Sequence, residues 1–212
     1  MNATFAFAGE ALVLLPKRAV WWPAQRWLIM ADLHLGKVSH FRRHGMLVPE
    51  AAAFPNFTRL QSLIEEWQPE RVLFLGDLFH SLHNAEVAAF RDWADGHPQV
   101  ELTLVRGNHD ILRPGTYADL GLHVVPEPWT VDPFVFYHHP PEAESQTWMA
   151  GHLHPAVMLR GRGRQSAKLP CFYCNGTGMI LPAFGAFTGS AIVQPKAGDR
   201  VFVIAEDRVV GF

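Results

Sequence analysis

Residues 27–34 read Trp27-Leu-Ile-Met-Ala-Asp-Leu-His34. An uninterrupted apolar run to Met30 reads as a short buried strand, and it is followed at once by a carboxylate and an imidazole two positions apart. The same arrangement recurs downstream. Arg71-Val-Leu-Phe-Leu75 runs into Gly76-Asp77, Val100–Val105 into Arg106-Gly-Asn-His-Asp110, Phe134–Tyr137 into His138-His139, and Thr147–Ala150 into Gly151-His-Leu-His154. Between the first three runs lie helical patterns. Residues 57–67 put Phe57, Leu60, Ile64 and Trp67 on one face. Asn84 offers an N-cap to a helix carrying Val87, Phe90 and Trp93, with Gly96 as its stop. Strands alternating with helices predict an α/β layer with parallel strands.

Outside this stretch the pattern is mostly strands. Residues 3–7 and 11–15 read as a hairpin around Gly9-Glu10, and residues 18–22 add a strand. After residue 154 short strands run to the C-terminus, with a hairpin over 201–210, which argues for a second, more antiparallel sheet. The length of 212 residues suits one domain over 1–212 with an ample core.

Composition excludes several classes. The chain is 49% hydrophobic and 18% charged, with a formal net charge of −2 and only 2 cysteines. Disorder and disulfide scaffolds do not fit. A pI of about 6.6 is far from that of a strongly basic nucleic-acid binder. The N-terminus has no basic segment and Glu10 breaks its first apolar stretch, so the expectation is a cytoplasmic protein with no membrane association. Residues 169–195 carry no charged side chain, but their prolines and glycines suit strands and turns rather than a spanning helix. Cys171 and Cys174 form a single Cys-x-x-Cys, read as two strand cysteines rather than a zinc or redox motif.

Chemistry gathers at the strand ends. The chain has 12 histidines against 18 lysines and arginines, and several stand in these clusters. Each cluster alone is ordinary: Gly-Asp after a strand is commonly a turn, and an isolated Asp-x-His is frequent. Five strand ends that all deliver Asp, Asn or His point to a metal-centred site in the crevice beyond the sheet. In an extended segment residues i and i+2 share a side, so Asp32 with His34, and His152 with His154, are expected to face one ion or one pair of ions. The glycines before Asp77, Asn108 and His152 let the backbone turn sharply and approach closely. Nitrogen and oxygen donors without thiolate suit manganese, iron(II) or zinc. Seven such side chains exceed one tetrahedral ion and fit two divalent ions sharing a carboxylate.

The ordered set D-x-H, G-D, G-N-H-D, H and G-H-x-H resembles the signature of the calcineurin-like metallophosphoesterases over about residues 27–160. A closer resemblance is to the ligase-associated DNA damage response endonucleases of the PdeM family. It rests on Gly9-Glu-Ala-Leu, Leu15-Pro-Lys-Arg-Ala19, Ala31-Asp-Leu-His-Leu-Gly-Lys37, Leu75-Gly-Asp-Leu-Phe-His80 and Leu181-Pro-Ala-Phe-Gly-Ala-Phe-Thr-Gly189. The resemblance implies a four-layer αββα sandwich with two mixed β-sheets face to face. It implies one metal held by Asp32, His34 and His154, the other by Asn108, His138 and His152, and Asp77 as the bridge. It also implies that His138 rather than His139 is the ligand, with His139 turned away. His80 stands where purple acid phosphatases have a tyrosine ligand, so tyrosinate ligation is not expected.

The mechanism expected from these residues is in-line attack on phosphorus by water activated between two cations. His109 is the candidate general acid, with Asp110 orienting its imidazole. The phosphodiester substrate implied by the resemblance is DNA in a repair setting, with DNA ligase, helicase or exonuclease association implied by the resemblance alone. Lys37, Arg42, Arg43, Arg106, Arg113, Arg160, Arg162, Arg164 and Lys168 lie near the motifs and suit a polyanion. A small-molecule nucleotide or nucleotide-sugar phosphoesterase and a non-catalytic binding scaffold of the same fold are the alternatives.

Overall fold

Trp27–Met30 forms a strand buried on both faces, and its alternating side chains explain the architecture. Leu28 and Met30 pack under helices, with Leu60, Leu63, Ile64, Phe90 and Trp93. Trp27 and Ile29 point the opposite way, into a cluster with Phe134, Phe136, Met149, Phe172 and Met179. Leu73 and Leu75 join the second cluster while Val72 and Phe74 join the first. Burial on both faces is why these strands read as continuous apolar runs rather than as alternation. Each large apolar side chain so buried contributes about 1.5–3 kcal/mol.

The computed structural model describes residues 1–36, 55–80, 85–161, 163, 165–186 and 188–212. The first sheet has seven strands in chain order: β1 (Ala3–Phe7), β2 (Glu10–Leu15), β3 (Ala19–Trp22), β4 (Trp27–Met30), β5 (Arg71–Leu75), β6 (Glu101–Val105) and β7 (Leu122–Val125). Strands β1 to β4 form an antiparallel meander, and β4 to β7 are parallel. Helix α1 (Pro55–Trp67) connects β4 to β5 and α2 (Ala85–Asp95) connects β5 to β6, with short α3 (Pro114–Asp119) before β7. Leu60, Phe90 and Tyr117, one from each helix, all lie in the cluster on one face of this sheet.

The second sheet contains β8 (Trp129–Val131), β9 (Phe134–Phe136), β10 (Thr147–Ala150), β11 (Pro155–Arg160), β12 (Ser166–Asn175), β13 (Gly178–Ile180), β14 (Ala191–Ile192), β15 (Arg200–Ala205) and β16 (Arg208–Gly211). Its order is β14-β11-β12-β13-β10-β9-β8, with β15 on β12 and β16 on β15. It is mixed: β9, β10 and β13 run parallel, as do β11 and β14, while the other pairs are antiparallel. Its face away from the first sheet carries two smaller clusters of strand residues, one around Trp148 and one around Val201 and Val203. Two mixed sheets pack face to face, the arrangement of a metallophosphoesterase sandwich.

The structure adds elements that the sequence pattern does not announce. β7, β8 and α3 are three to six residues long, too short for a periodicity to register. The C-terminal strands are not all short, since β12 runs for 10 residues and pairs with β11, β13 and β15 along its length. Asn84, expected as an N-cap, lies outside the described residues. Cys171 and Cys174 are buried free thiols on β12, and burial pushes both up to about 12, as strand cysteines should behave. No helix of the described residues is long and apolar enough to cross a membrane.

Candidate metal centre

The five motifs all follow the C-terminal ends of strands: β4, β5 and β6 in the first sheet, β9 and β10 in the second. The two sheets therefore deliver donors to one cleft from opposite sides. The backbone that does this is not extended. Asp32, His34, Asp77, His152 and His154 have φ of 56°, 48°, 50°, 68° and 49°. A left-handed conformation is unfavourable for residues with a Cβ and concentrates at functional sites. The extended backbone expected for these pairs is therefore wrong, while their expected placement toward one ion or one pair of ions fits the grouping of the donors. His152 and His154 diverge into different clusters, whereas Asp32 and His34 share one through two successive left-handed bends.

Donor atoms of Asp32, His34 and His154 lie within 4.8 Å of one another. Asp32 Oδ1 is 3.4 Å from His154 Nε2, and His34 Nε2 is 3.7 Å from Asp77 Oδ2. The second group centres on His138 Nε2. It lies 3.0 Å from Asn108 Oδ1, 3.1 Å from His152 Nδ1 and 3.4 Å from Asp77 Oδ1. Asp77 thus turns one carboxylate oxygen to each group. Two tautomers are fixed by backbone carbonyls, which only accept. His138 Nδ1 donates to Leu75 O and His154 Nδ1 donates to Gly189 O, each at 3.0 Å, so in the neutral ring Nε2 is the nitrogen that carries the lone pair.

This donor set fits divalent cations. Asp32 and His138 are fully buried and Asp77 is 2% exposed. Asp32 Oδ1 is buried and accepts no hydrogen bond among the described residues. Buried carboxylates facing imidazole lone pairs are costly unless a cation lies between them. Burial, followed by the neighbouring His138 and His139, also lowers the proton affinity of His152 and favours its neutral, ligating form.

The motifs brace one another directly. A Cβ on Gly107 would sit 2.5 Å from the Asp77 amide nitrogen, and one on Gly151 would sit 2.6 Å from Asp32 Oδ2. Both glycines serve close approach between loops. The His109 N–H donates to Asp77 Oδ1 and the His152 N–H to Asp32 Oδ2, both at 2.9 Å. The His109 side chain is exposed at the rim, its ring 5.7 Å from that of His34 and 4.9 Å from that of His80.

Two expected roles are corrected. Asp110 does not orient the His109 imidazole. Its Oδ1 accepts from the amides of Leu78 and Phe79 and its Oδ2 from Gly107, so the carboxylate ties the loop after β5 to the loop after β6. Burial raises it to about 6. Nor does His139 turn away: its ring centroid is 4.3 Å from that of His152. Glu127 holds it there, with Oε1 on His139 Nδ1 at 2.7 Å and Oε2 accepting from the amides of His138 and His139. Burial pushes Glu127 up, but these hydrogen bonds outweigh it and leave the carboxyl below its usual range.

Sequence reasoning did not single out Glu127, nor the residues that fasten the segment 183–186 over the first motif. Phe184 N–H donates to Ala31 O and Gly185 N–H to Asp32 O. Arg18 donates to the carbonyls of Ala183 and Gly185, and Arg59 to that of Phe184. Buried Asn56 donates to Leu33 O and accepts from Ala186 N–H. These partners lie well over a hundred residues from the segment, so no local pattern marks them; Arg18 alone fell inside a stretch already noted. Of the basic residues near the motifs, Arg106 donates to Asp110 O, Arg160 is exposed, and Lys168 borders the cleft beside His154. Lys37, Arg42, Arg43, Arg162 and Arg164 lie outside the described residues, as do His40, His44 and His83.

A family model for calcineurin-like phosphoesterases matches residues 26–164, which span all five motifs. The chain belongs to the calcineurin-like phosphoesterase family. Among solved structures, the nuclease MPE of Pseudomonas putida is 33% identical, with 100% of each chain covered and a TM-score of 0.86. A phosphoesterase from E. coli, Yfce, is 16% identical over 88% of this chain and 97% of its own, with a TM-score of 0.45. No curated protein sequence matches. With its family and donor clusters, this phosphoesterase is a metal-dependent phosphoester hydrolase.

Proposed function

We propose that this phosphoesterase is a two-metal phosphodiesterase that cuts DNA in a cytoplasmic repair setting, with manganese as its metal. The observation that carries the reading is the position of Asp77, whose two oxygens face separate donor clusters at 3.4 and 3.7 Å. Asp32, His34 and His154 would hold one cation, Asn108, His138 and His152 the other, and Asp77 would join them. His, Asp and Asn donors suit manganese better than copper(I) or calcium. The 33% identity and full-length match to a bacterial nuclease support a nucleic-acid substrate.

Bound divalent cations supply the Lewis acidity that activates water and neutralises phosphate charge. The residues of the chain do the rest. The backbone bonds to Asp77 and Asp32 fix the carboxylates before substrate arrives, so no reorganisation is needed during reaction. Water attacks phosphorus in line and the ester oxygen leaves on the far side. His109, exposed at the rim, donates a proton to that leaving oxygen through its imidazole.

The test is a manganese-supplemented panel of circular plasmid, single-stranded DNA, cyclic nucleotides, nucleotide diphosphates and phosphomonoesters, with Asp77→Asn as the blank. The reading predicts nicking of DNA that is lost in the blank. Preference for nucleotide diphosphates would replace it with a small-molecule activity. DNA binding that is unchanged by Asp77→Asn, without hydrolysis in either protein, would indicate a scaffold.

A further inference from the structure

Ala183, Ala186, Thr188, Gly189 and Ser190 form one wall of a small cavity that His154 also lines. The cavity is about 150 Å³, and its lining includes Arg18, His154, Lys168, Thr188 and Ser190. Every titratable side chain in that lining is basic. The larger cavity on the other side of Arg18 sets Glu66, Glu206 and Asp207 against its cations. Two cationic side chains and an imidazole around so small a cavity suit a phosphate group.

His154 joins the cavity to the metal centre. Its Nε2 faces Asp32 at 3.4 Å, and its Nδ1 is bonded to Gly189 O in the cavity wall. Whatever fills the cavity is one imidazole away from the donor cluster of Asp32 and His34. Arg18 is held there by bonds from one guanidinium nitrogen to Ala183 O and Gly185 O, both 3.2 Å. That leaves its other N–H groups for a ligand. Lys168 comes from β12, on the same strand face as Pro170 and opposite Met158 of β11, and is exposed. It forms no ion pair among the described residues. The Ser190 hydroxyl adds a donor with no charge of its own, whereas the Thr188 O–H is already donated to Gly185 O at 3.1 Å.

We propose that this cavity binds a second phosphate, the one adjoining the scissile phosphate along a polynucleotide strand. Resting on the phosphodiesterase reading above, it makes the site selective for chains carrying consecutive phosphates over single-phosphate esters. Lys168 and Arg18 supply charge to a group that does not react, so their contribution appears in substrate capture rather than in the chemical step.

The experiment compares Mn²⁺-dependent kcat/KM on a single-stranded oligonucleotide and on bis(p-nitrophenyl) phosphate, which has one phosphate, for wild type, Lys168→Glu and Lys168→Arg. The expected result for Lys168→Glu is a fall of about tenfold in the ratio of the two, expressed in KM for the oligonucleotide. Its salt dependence should weaken by about 0.7 in log–log slope, the amount for one single-strand phosphate. Lys168→Arg should restore the ratio. Equal losses on both substrates, or an unchanged ratio and slope, would overturn the subsite and leave the phosphodiesterase reading standing. Wild type that cleaves the small diester but not the oligonucleotide would also overturn it. Wild type that cleaves neither would overturn the phosphodiesterase reading, and the subsite with it.

Discussion

The His152 amide donates a 2.9 Å hydrogen bond to Asp32 Oδ2 across 120 residues of sequence, joining the last motif to the first. It leaves Asp32 Oδ1 to face His154 Nε2. Asp32→Asn must turn its NH₂ either onto the His152 N–H or into the cluster. Both arrangements set donor against donor or cation. The variant should lose tight binding of one ion and about 1–3 kcal/mol of stability. Calorimetric metal titration and thermal unfolding check this.

His109 tests the division of labour within one motif. Its backbone N–H holds Asp77 while its ring stands at the rim. His109→Asn keeps the first and removes the second. Metal content should stay at the wild-type level and the rate should fall by roughly 10²–10⁴. Metal content falling together with rate would make the ring a ligand.

Glu127 touches none of the atoms at the centre of the cleft, yet it accepts three hydrogen bonds from His138 and His139. Glu127→Ala should therefore weaken metal affinity or activity by about 10–100-fold, as loss of a supporting partner does. An equilibrium metal titration compared with activity at saturating manganese separates affinity from rate.

Much of this was legible in the sequence, and particular residues show why. Trp27–Met30 and Arg71–Leu75 are buried on both faces, so their runs are continuous and the polar residues after them stand out. The positions of Asp32, Asp77, Asn108, His138, His152 and His154 followed from those ends. How the side chains point did not follow. The left-handed φ of His152 and His154 sends two residues two apart into different clusters, against strand alternation. Asp110 looked like an orienter because it adjoins His109, but its partners are amides from the loop after β5. Asn56 was invisible because its bond to Ala186 spans 130 residues, and Glu127 because it precedes the histidines it holds by 11 and 12 residues, outside any motif spacing.

Asn56 gives a test of that hidden layer. It is 8% exposed and bridges Leu33 O and Ala186 N–H. Asn56→Ala leaves both groups without their partner and should cost about 1–3 kcal/mol. For a chain of this size each 1 kcal/mol lowers Tm by about 2–4 °C. Differential scanning calorimetry of the metal-free protein reads it without interference from bound ions.

The central claim is that Asp77 joins two ions in one site, and manganese titration by isothermal calorimetry of wild type beside Asp77→Asn tests it most directly. The account predicts two Mn²⁺ per wild-type chain and loss of tight binding at both positions in the variant. A single ion in the wild type, or two tightly bound ions retained in Asp77→Asn, would contradict it.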